Sequence, residues 1–347
     1  MGALIAILAL VFVTGLCIGS FLNVVILRTL SEESIVFPAS KCPKCQTPLK
    51  WWHNIPVLSY IFLRGKCAFC KEHISIQYPI IELLTGIIYT LLFMKFGVSV
   101  DTLFAWIVSS ILIVIAGTDI KEKVVYDVHT YTLIGVGLIY AIVVTALTFY
   151  QMHVAGTPIE FTKYLILNNP ISSSLLGMIG GALILEICAR AGYLFAGTRA
   201  FGEGDTFIAA GLGALFGWKT LLIVLALSVI IQVIIFLPIF IKGLIKNKEW
   251  KTLISFTLFA LFAIAFYILQ YLRIITIDNF ALYTILALIL IVLGIISCIF
   301  IFKGLREHPE NRTYMPFGPA MVVAAFIALI VPHFVVISDV TVISMSL

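Results

Sequence analysis

The chain reads as an all-α polytopic membrane protein with about ten crossings and a small cytoplasmic loop domain built on four cysteines. Three observations carry that reading. Of 347 residues, 62% are hydrophobic and 11% charged, with a mean hydropathy of +1.15. Apolar runs long enough to span a bilayer, about 20 residues each, recur along the chain. The longest polar stretch holds two Cys-x-x-Cys pairs. A soluble domain carries roughly a quarter charged residues, and disorder requires low hydrophobicity, so both classes are excluded. Lipid is the expected surroundings, and no nucleic-acid partner is expected.

The runs cover roughly 3–27, 79–97, 101–117, 130–150, 171–195, 219–241, 253–273, 279–302 and 317–338. A shorter apolar piece, 206–217, is too short to cross comfortably and predicts a short or broken helix. No Lys or Arg precedes Arg28, so the first run lacks the basic start of a cleaved signal and reads as a span. Counting 206–217 as a crossing puts 18 of the 22 Lys and Arg in the loops 28–78, 118–129, 190–205, 242–252 and 303–316. By the positive-inside rule these loops are cytoplasmic and both chain ends lie on the other side. Loop 28–78, the segment after Thr118 and the segment before Asp205 then share one face.

The loop holds Cys42-Pro-Lys-Cys45 and Cys67-Ala-Phe-Cys70. Each Cys-x-x-Cys turn aims two sulfurs at one point, and two turns complete a tetrahedron for zinc. A loop of about 50 residues builds little core, so a structural metal would supply folding free energy. A cytoplasmic location argues against disulfides, while iron–sulfur or redox use and an unmetallated tetrad stay open. Cys17, Cys188 and Cys298 lie in apolar runs and read as small buried hydrophobes.

Charge at the membrane edge is costly, so the acids there need an account. Asp119 ends one apolar run, Asp127 follows near the next, and Asp205 lies in Gly202-Glu203-Gly204-Asp205 before the short piece. Glycines beside Glu203 permit close backbone approach, and Asp205 would sit at a helix N-terminus, where negative charge is favoured. In the expected topology Asp119 and Asp205 share the cytoplasmic edge. Two neighbouring carboxylates that share a proton suit acid–base activation of water. The same spacings also fit loop acids that neutralise Lys121 and Lys123, or the membrane acids of an ion-coupled transporter. Glu82, at a span's start, reads equally as a functional acid or as the partner of a loop lysine. Glu186 and Arg190 read as a local pair.

The order of these motifs resembles the bacterial prepilin peptidases, bifunctional leader peptidases and N-methyltransferases of type IV pilins and type II secretion pseudopilins. The match starts with Gly15-x-x-x-Gly19-Ser20-Phe21-Leu22-Asn23-Val24-Val25 and Arg28. It continues through the Cys tetrad with Trp51, then Asn54-Ile55-Pro56-Val57-Leu58-Ser59-Tyr60 and Leu63-Arg64-Gly65-Lys66-Cys67. Ile74-Ser75, Tyr78-Pro79, Glu82-Leu83, Asp119 through Asp127 and Gly202-x-Gly204-Asp205 follow. Pro316-Phe317-Gly318-Pro319 looks like the family's C-terminal signature. The resemblance covers about 1–245 and 313–338. It implies a catalytic pair of Asp119 and Asp205, supported by Asp127, Gly202 and Gly204, with Cys42, Cys45, Cys67 and Cys70 holding a structural zinc. It further implies prepilin and pseudopilin substrates, cleaved after a Gly where a basic leader meets an apolar stem. S-adenosylmethionine would be the methyl donor and the bacterial cytoplasmic (inner) membrane the setting.

The implied organisation is a first span (1–28), a zinc-binding loop (29–78), a membrane peptidase core (79–245), an inserted pair of spans (246–304) and a C-terminal loop and last span (305–347). Three positions depart from the family pattern: Phe207 stands where Lys is common, Tyr126 where Pro is frequent, and 246–304 is extra. Two other readings compete. Presenilin-like enzymes also join a Tyr-Asp to a Gly-x-Gly-Asp, which would make Asp127, in Tyr126-Asp127, the partner of Asp205. A transporter or assembly scaffold would carry paired acids at mid-membrane.

Overall fold

The computed structural model describes residues 2–154, 169–196, 199, 201–271, 280–307 and 316–331. The ends of the runs 253–273 and 317–338 and parts of the loops 190–205 and 303–316 lie outside these residues. Among the described residues the regular structure is helical, with isolated bridges only in the cysteine loop.

In chain order the helices are α1 (Gly2–Leu30), a 3-10 turn (Trp51–Asn54), α2 (Leu58–Phe62), α3 (Gln77–Phe96), α4 (Val100–Glu122) and α5 (Asp127–Val154). There follow α6 (Pro170–Ala196), α7 (Glu203–Lys246), α8 (Trp250–Tyr271), α9 (Phe280–Glu307) and α10 (Gly318–Ile330). Seven of them are long and apolar enough to cross a membrane; apolar stretches within α9 and α10 are shorter. The helix α7 is broken at Gly217, whose φ of 73° and ψ of 171° are not helical. Its first piece therefore corresponds to the short segment expected at 206–217. Counting the two pieces separately gives ten apolar helical segments among the described residues.

The local sequence explains where the helices start and stop. Ser99 caps α4 by accepting the Thr102 N–H at 3.2 Å. Gly97, at φ 62°, ends α3 in a conformation that favours glycine. Leu4, Ile5, Leu10 and Val13 of α1 and Leu258, Leu261 and Ile264 of α8 are each more than half exposed. Such apolar outer faces are what a lipid solvent requires. The chain is a multi-pass membrane protein.

The chain divides into two compact units. One comprises 1–186, 201–229 and 316–347; the other comprises 187–200 and 230–315. In the first, α1 lies against α3, and glycines set the distance. A Cβ on Gly15 would come within 2.7 Å of Gly86 Cα, and one on Gly19 within 2.7 Å of Glu82 Cα. Residue numbers rise along α1 as they fall along α3, so the helices are antiparallel with a four-residue small-residue register. Between α3 and α4, Tyr89 stacks on Trp106 at 4.9 Å, and Trp106 Nε1 donates to the Tyr89 carbonyl at 3.0 Å. The same antiparallel glycine seam joins α6 to α7, where Gly177 faces Gly213 and Gly181 faces Ala209. In the second unit α8 packs along α9; α8 lies inside the stretch expected as an insertion, and α9 runs past its expected end at 304 to Glu307.

Backbone cannot yield as a side chain can. Gly19→Val is therefore expected to lower stability by roughly 1–3 kcal/mol. Gly135→Val, whose Cβ would meet nothing within 4 Å, should leave it unchanged. Unfolding of both variants in detergent micelles measures the difference.

Candidate functional site

Two sites emerge in the first unit. The first is the cysteine centre. Lys41 bridges Pro48 and Lys66 bridges His73, each antiparallel. Within each hairpin the first cysteine's N–H and C=O are both engaged. The Cys42 N–H donates to the Thr47 carbonyl at 3.1 Å and the Gln46 N–H to the Cys42 carbonyl at 2.9 Å. The Cys67 N–H donates to the Glu72 carbonyl at 2.8 Å and the Lys71 N–H to the Cys67 carbonyl at 3.2 Å. Gln46 and Lys71 occupy the left-handed region at φ 56° and 62°. The two hairpins are thus one knuckle repeated.

The four sulfurs of Cys42, Cys45, Cys67 and Cys70 all lie within 4.8 Å of one another, and Cys42 Sγ is 3.9 Å from Cys70 Sγ. Thiolates at about 2.3 Å around a tetrahedral zinc stand about 3.8 Å apart. The donor set therefore fits a metal. Hydrogen bonding from Thr47, its side chain first and its backbone second, lowers the Cys45 thiol to about 6. Hydrogen bonds from the backbone of Cys70 and then Phe69 lower Cys67 as well. Both effects favour the thiolate at Cys45 and Cys67. At Cys70 the Glu72 backbone hydrogen bond, which lowers the thiol, is outweighed by burial and by the neighbouring sulfurs of Cys67, Cys45 and Cys42, and it is pushed up to about 11.

Buried polar contacts fasten the loop to α3 and α3 to α1. Glu82, 6% exposed, accepts the Val57 backbone N–H at 2.7 Å, and Val57 sits at φ 61°. Asn23, fully buried, donates to the Tyr78 carbonyl at 3.1 Å. Neither of the roles weighed for Glu82 describes this contact, because its partner is a backbone group, which leaves no mark in a sequence.

The second site is built around Asp119 and Asp205, buried at 3% and 5% exposure. Asp119 lies in the last turn of α4 and Asp205 in the first turn of α7. The Gly202 N–H donates to Asp205 Oδ2 at 3.1 Å, the reciprocal half of a helix cap. Gly204 brings α7 against the chain that follows Asp119. A Cβ there would come within 2.5 Å of Val125 Cβ. Phe207 packs edge-on against Tyr131 at 5.5 Å, which accounts for an aromatic ring at that position.

Gly318, at the start of α10, lies against Asp119 and the first turns of α7. A Cβ on it would collide with Asp119 Oδ2 and lie 3.2 Å from Ile208 Cδ1, one turn beyond Asp205. Phe317 beside it meets Phe201 at 4.9 Å. The start of α10 thus touches both the end of α4, at Asp119, and the start of α7, at Ile208 and at Phe201 just before the helix. Asp127 differs: it is exposed in the first turn of α5. The sequence singles out Asp119, Asp205, Gly202 and Gly204 as candidates, and the structure adds the contact of Gly318 with Asp119, which no sequence reading contains. The Pro316–Pro319 motif was its one available signal.

The metal centre yields a direct expectation. Purified protein should carry one metal ion per chain, and Cys67→Ser should abolish it. Because protons compete for the thiolates, retention should fall as the pH is lowered. Elemental analysis across a pH series checks both points.

Comparison with known proteins follows this geometry. Residues 13–96 match the bacterial peptidase A24 N-terminal domain, and residues 106–237 match the type IV leader peptidase family. A prepilin leader peptidase/N-methyltransferase of Neisseria gonorrhoeae is 33% identical over 246 residues, covering 64% of this chain and 78% of the relative. Its namesake in Myxococcus xanthus is 34% identical, covering 62% of this chain and 57% of that protein. The one in Klebsiella pneumoniae is 32% identical, covering 60% and 85%. No solved structure gives a significant match. With both regions matched in order, and with a relative more than 30% identical covered over three quarters of its length, the chain belongs to the type IV leader peptidase family.

Proposed function

We propose that this protein cleaves the leader from type IV prepilins and pseudopilins and methylates the amine thus exposed. Family membership supplies the reaction class. The observation that carries the site assignment is the burial of Asp119 and Asp205 at the ends of two helices far apart in sequence, with Gly318 packed against Asp119 and against Ile208 of the Asp205 helix. The substrate is a membrane-inserted precursor whose basic leader lies in the cytoplasm, and cleavage falls after a Gly at the junction with its apolar stem. The setting is the bacterial inner membrane, with the acid pair at the cytoplasmic face.

The pair enters the reaction sharing one proton. The ionised carboxylate takes a proton from water as the water oxygen adds to the scissile carbonyl carbon. The protonated partner gives its proton to the carbonyl oxygen, leaving a tetrahedral diol. The carbon–nitrogen bond then breaks. The departing amine takes the proton that came from water, and the diol returns the other as it becomes the new carboxylic acid. Gly202 fixes the Asp205 carboxylate throughout.

Cys42, Cys45, Cys67 and Cys70 would hold a zinc ion, which would supply folding free energy to the loop. S-adenosylmethionine supplies the methyl group for the new amine. Glu82, which fastens the loop to α3, and Asn23, which joins α1 to α3, carry the shape of this half of the protein.

Intact-mass analysis of a pilin precursor co-expressed with the protein tests the proposal. The wild type should yield a shortened product bearing one methyl group, while Asp119→Asn and Asp205→Asn should leave the precursor full length. Asp127→Asn should retain cleavage. Loss of cleavage in Asp127→Asn with retention in Asp119→Asn would move the pairing to the Tyr-Asp motif.

A further inference from the structure

The start of α10 lies outside both family-matched regions, 13–96 and 106–237, yet it touches Asp119. Its first residue, Gly318, has no positive φ, so its backbone conformation would accept any L-residue. Alanine would be the better helix former. What forbids a side chain is space: a Cβ would collide with Asp119 Oδ2 and come within 3.3 Å of Asp119 Cγ. The collision cannot be relieved by retreat of the helix. Its Met321, Ala324 and Ala325 are fully buried. Its far end is held where Lys95 Nζ donates to the Leu329 carbonyl at 2.6 Å.

The carboxyl on the other side of this contact is equally distinctive. Asp119 Oδ2 is shut away from the surface and makes no hydrogen bond of ordinary geometry, although the Gly318 backbone N–H approaches the carboxyl. The first N–H groups of a helix lack helical acceptors and form its positive end, and Pro319 contributes none. A buried, unbonded carboxylate oxygen therefore faces the open end of a 13-residue helix.

Resting on the acid-pair reading above, we infer that the start of α10 is the third wall of the aspartyl site and that Gly318 is a positioning residue. Hydrogen in place of a Cβ is what lets the Asp119 carboxyl lie where Oδ2 can exchange a proton with the substrate. Gly318 acts through Asp119 and touches no reacting atom itself. The C-terminal segment thereby becomes part of the peptidase machinery.

The test compares Gly318→Ala with wild type in detergent-purified full-length protein, using a pilin precursor, with Asp119→Asn and Asp205→Asn alongside. Misplacement of a reacting group by about 1 Å costs about 100-fold in rate. The expected result is a kcat reduced about 100-fold, with KM and the thermal midpoint unchanged. A wild-type kcat in Gly318→Ala, with both Asn variants silent, overturns this inference and leaves the acid pair standing. A fall in kcat accompanied by an equal loss of thermal stability indicates packing alone and also overturns it. Full cleavage by the Asn variants removes the acid-pair reading and this inference with it.

Discussion

A carboxylate within reach of hydrocarbon must be enclosed by protein, and the organisation around Asp119 and Asp205 follows from that constraint. Each acid sits in a terminal turn of its helix, where backbone groups are available to it. Enclosure at that point requires helices to approach more closely than ordinary side chains allow. Gly204 against Val125 and Gly318 against Asp119 meet that need. The glycine seams of α1 with α3 and α6 with α7 apply the same solution over longer distances. In a bilayer, where apolar side chains gain little from one another, such close backbone packing is a main source of helix association.

The cysteine loop answers a different problem. Too short for a large core, it closes two like hairpins around four sulfurs and is tied down by Glu82. Val57 shows the cost of this arrangement. A β-branched residue in the left-handed region is strained, and a 2.7 Å bond to a buried carboxylate holds it there. The cysteine loop and the two buried acids lie in the same compact unit, with Glu82 of α3 holding the loop and Asp119 of α4 lying against Gly318 of α10.

The spans were legible because hydrophobic runs depend on residues near in sequence: the run 79–97 is realised as Gln77–Phe96 and 101–117 lies within Val100–Glu122. The cysteine cluster was legible because two residues between sulfurs is a local geometry. The break at Gly217 was signalled by the length of the apolar piece before it. Long-range contacts were not legible. Nothing near Glu82 announces that its partner is the Val57 backbone, and nothing in spacing separates Asp119 from Asp127. Burial makes that distinction, enclosing the first and exposing the second. The Gly318 contact was hidden for the same reason, since a missing Cβ has meaning only once its neighbour is known.

The central claim is that the end of α4 and the start of α7 bring Asp119 and Asp205 to one point. Paired cysteines test it directly, with Asp119→Cys and Asp205→Cys introduced together, Cys17, Cys188 and Cys298 replaced by Ala, and the metal centre intact. Treatment with a short bifunctional thiol reagent should join the two positions, giving one bridged species by mass analysis of the digested chain. Two separately modified cysteines with no bridge would contradict the account.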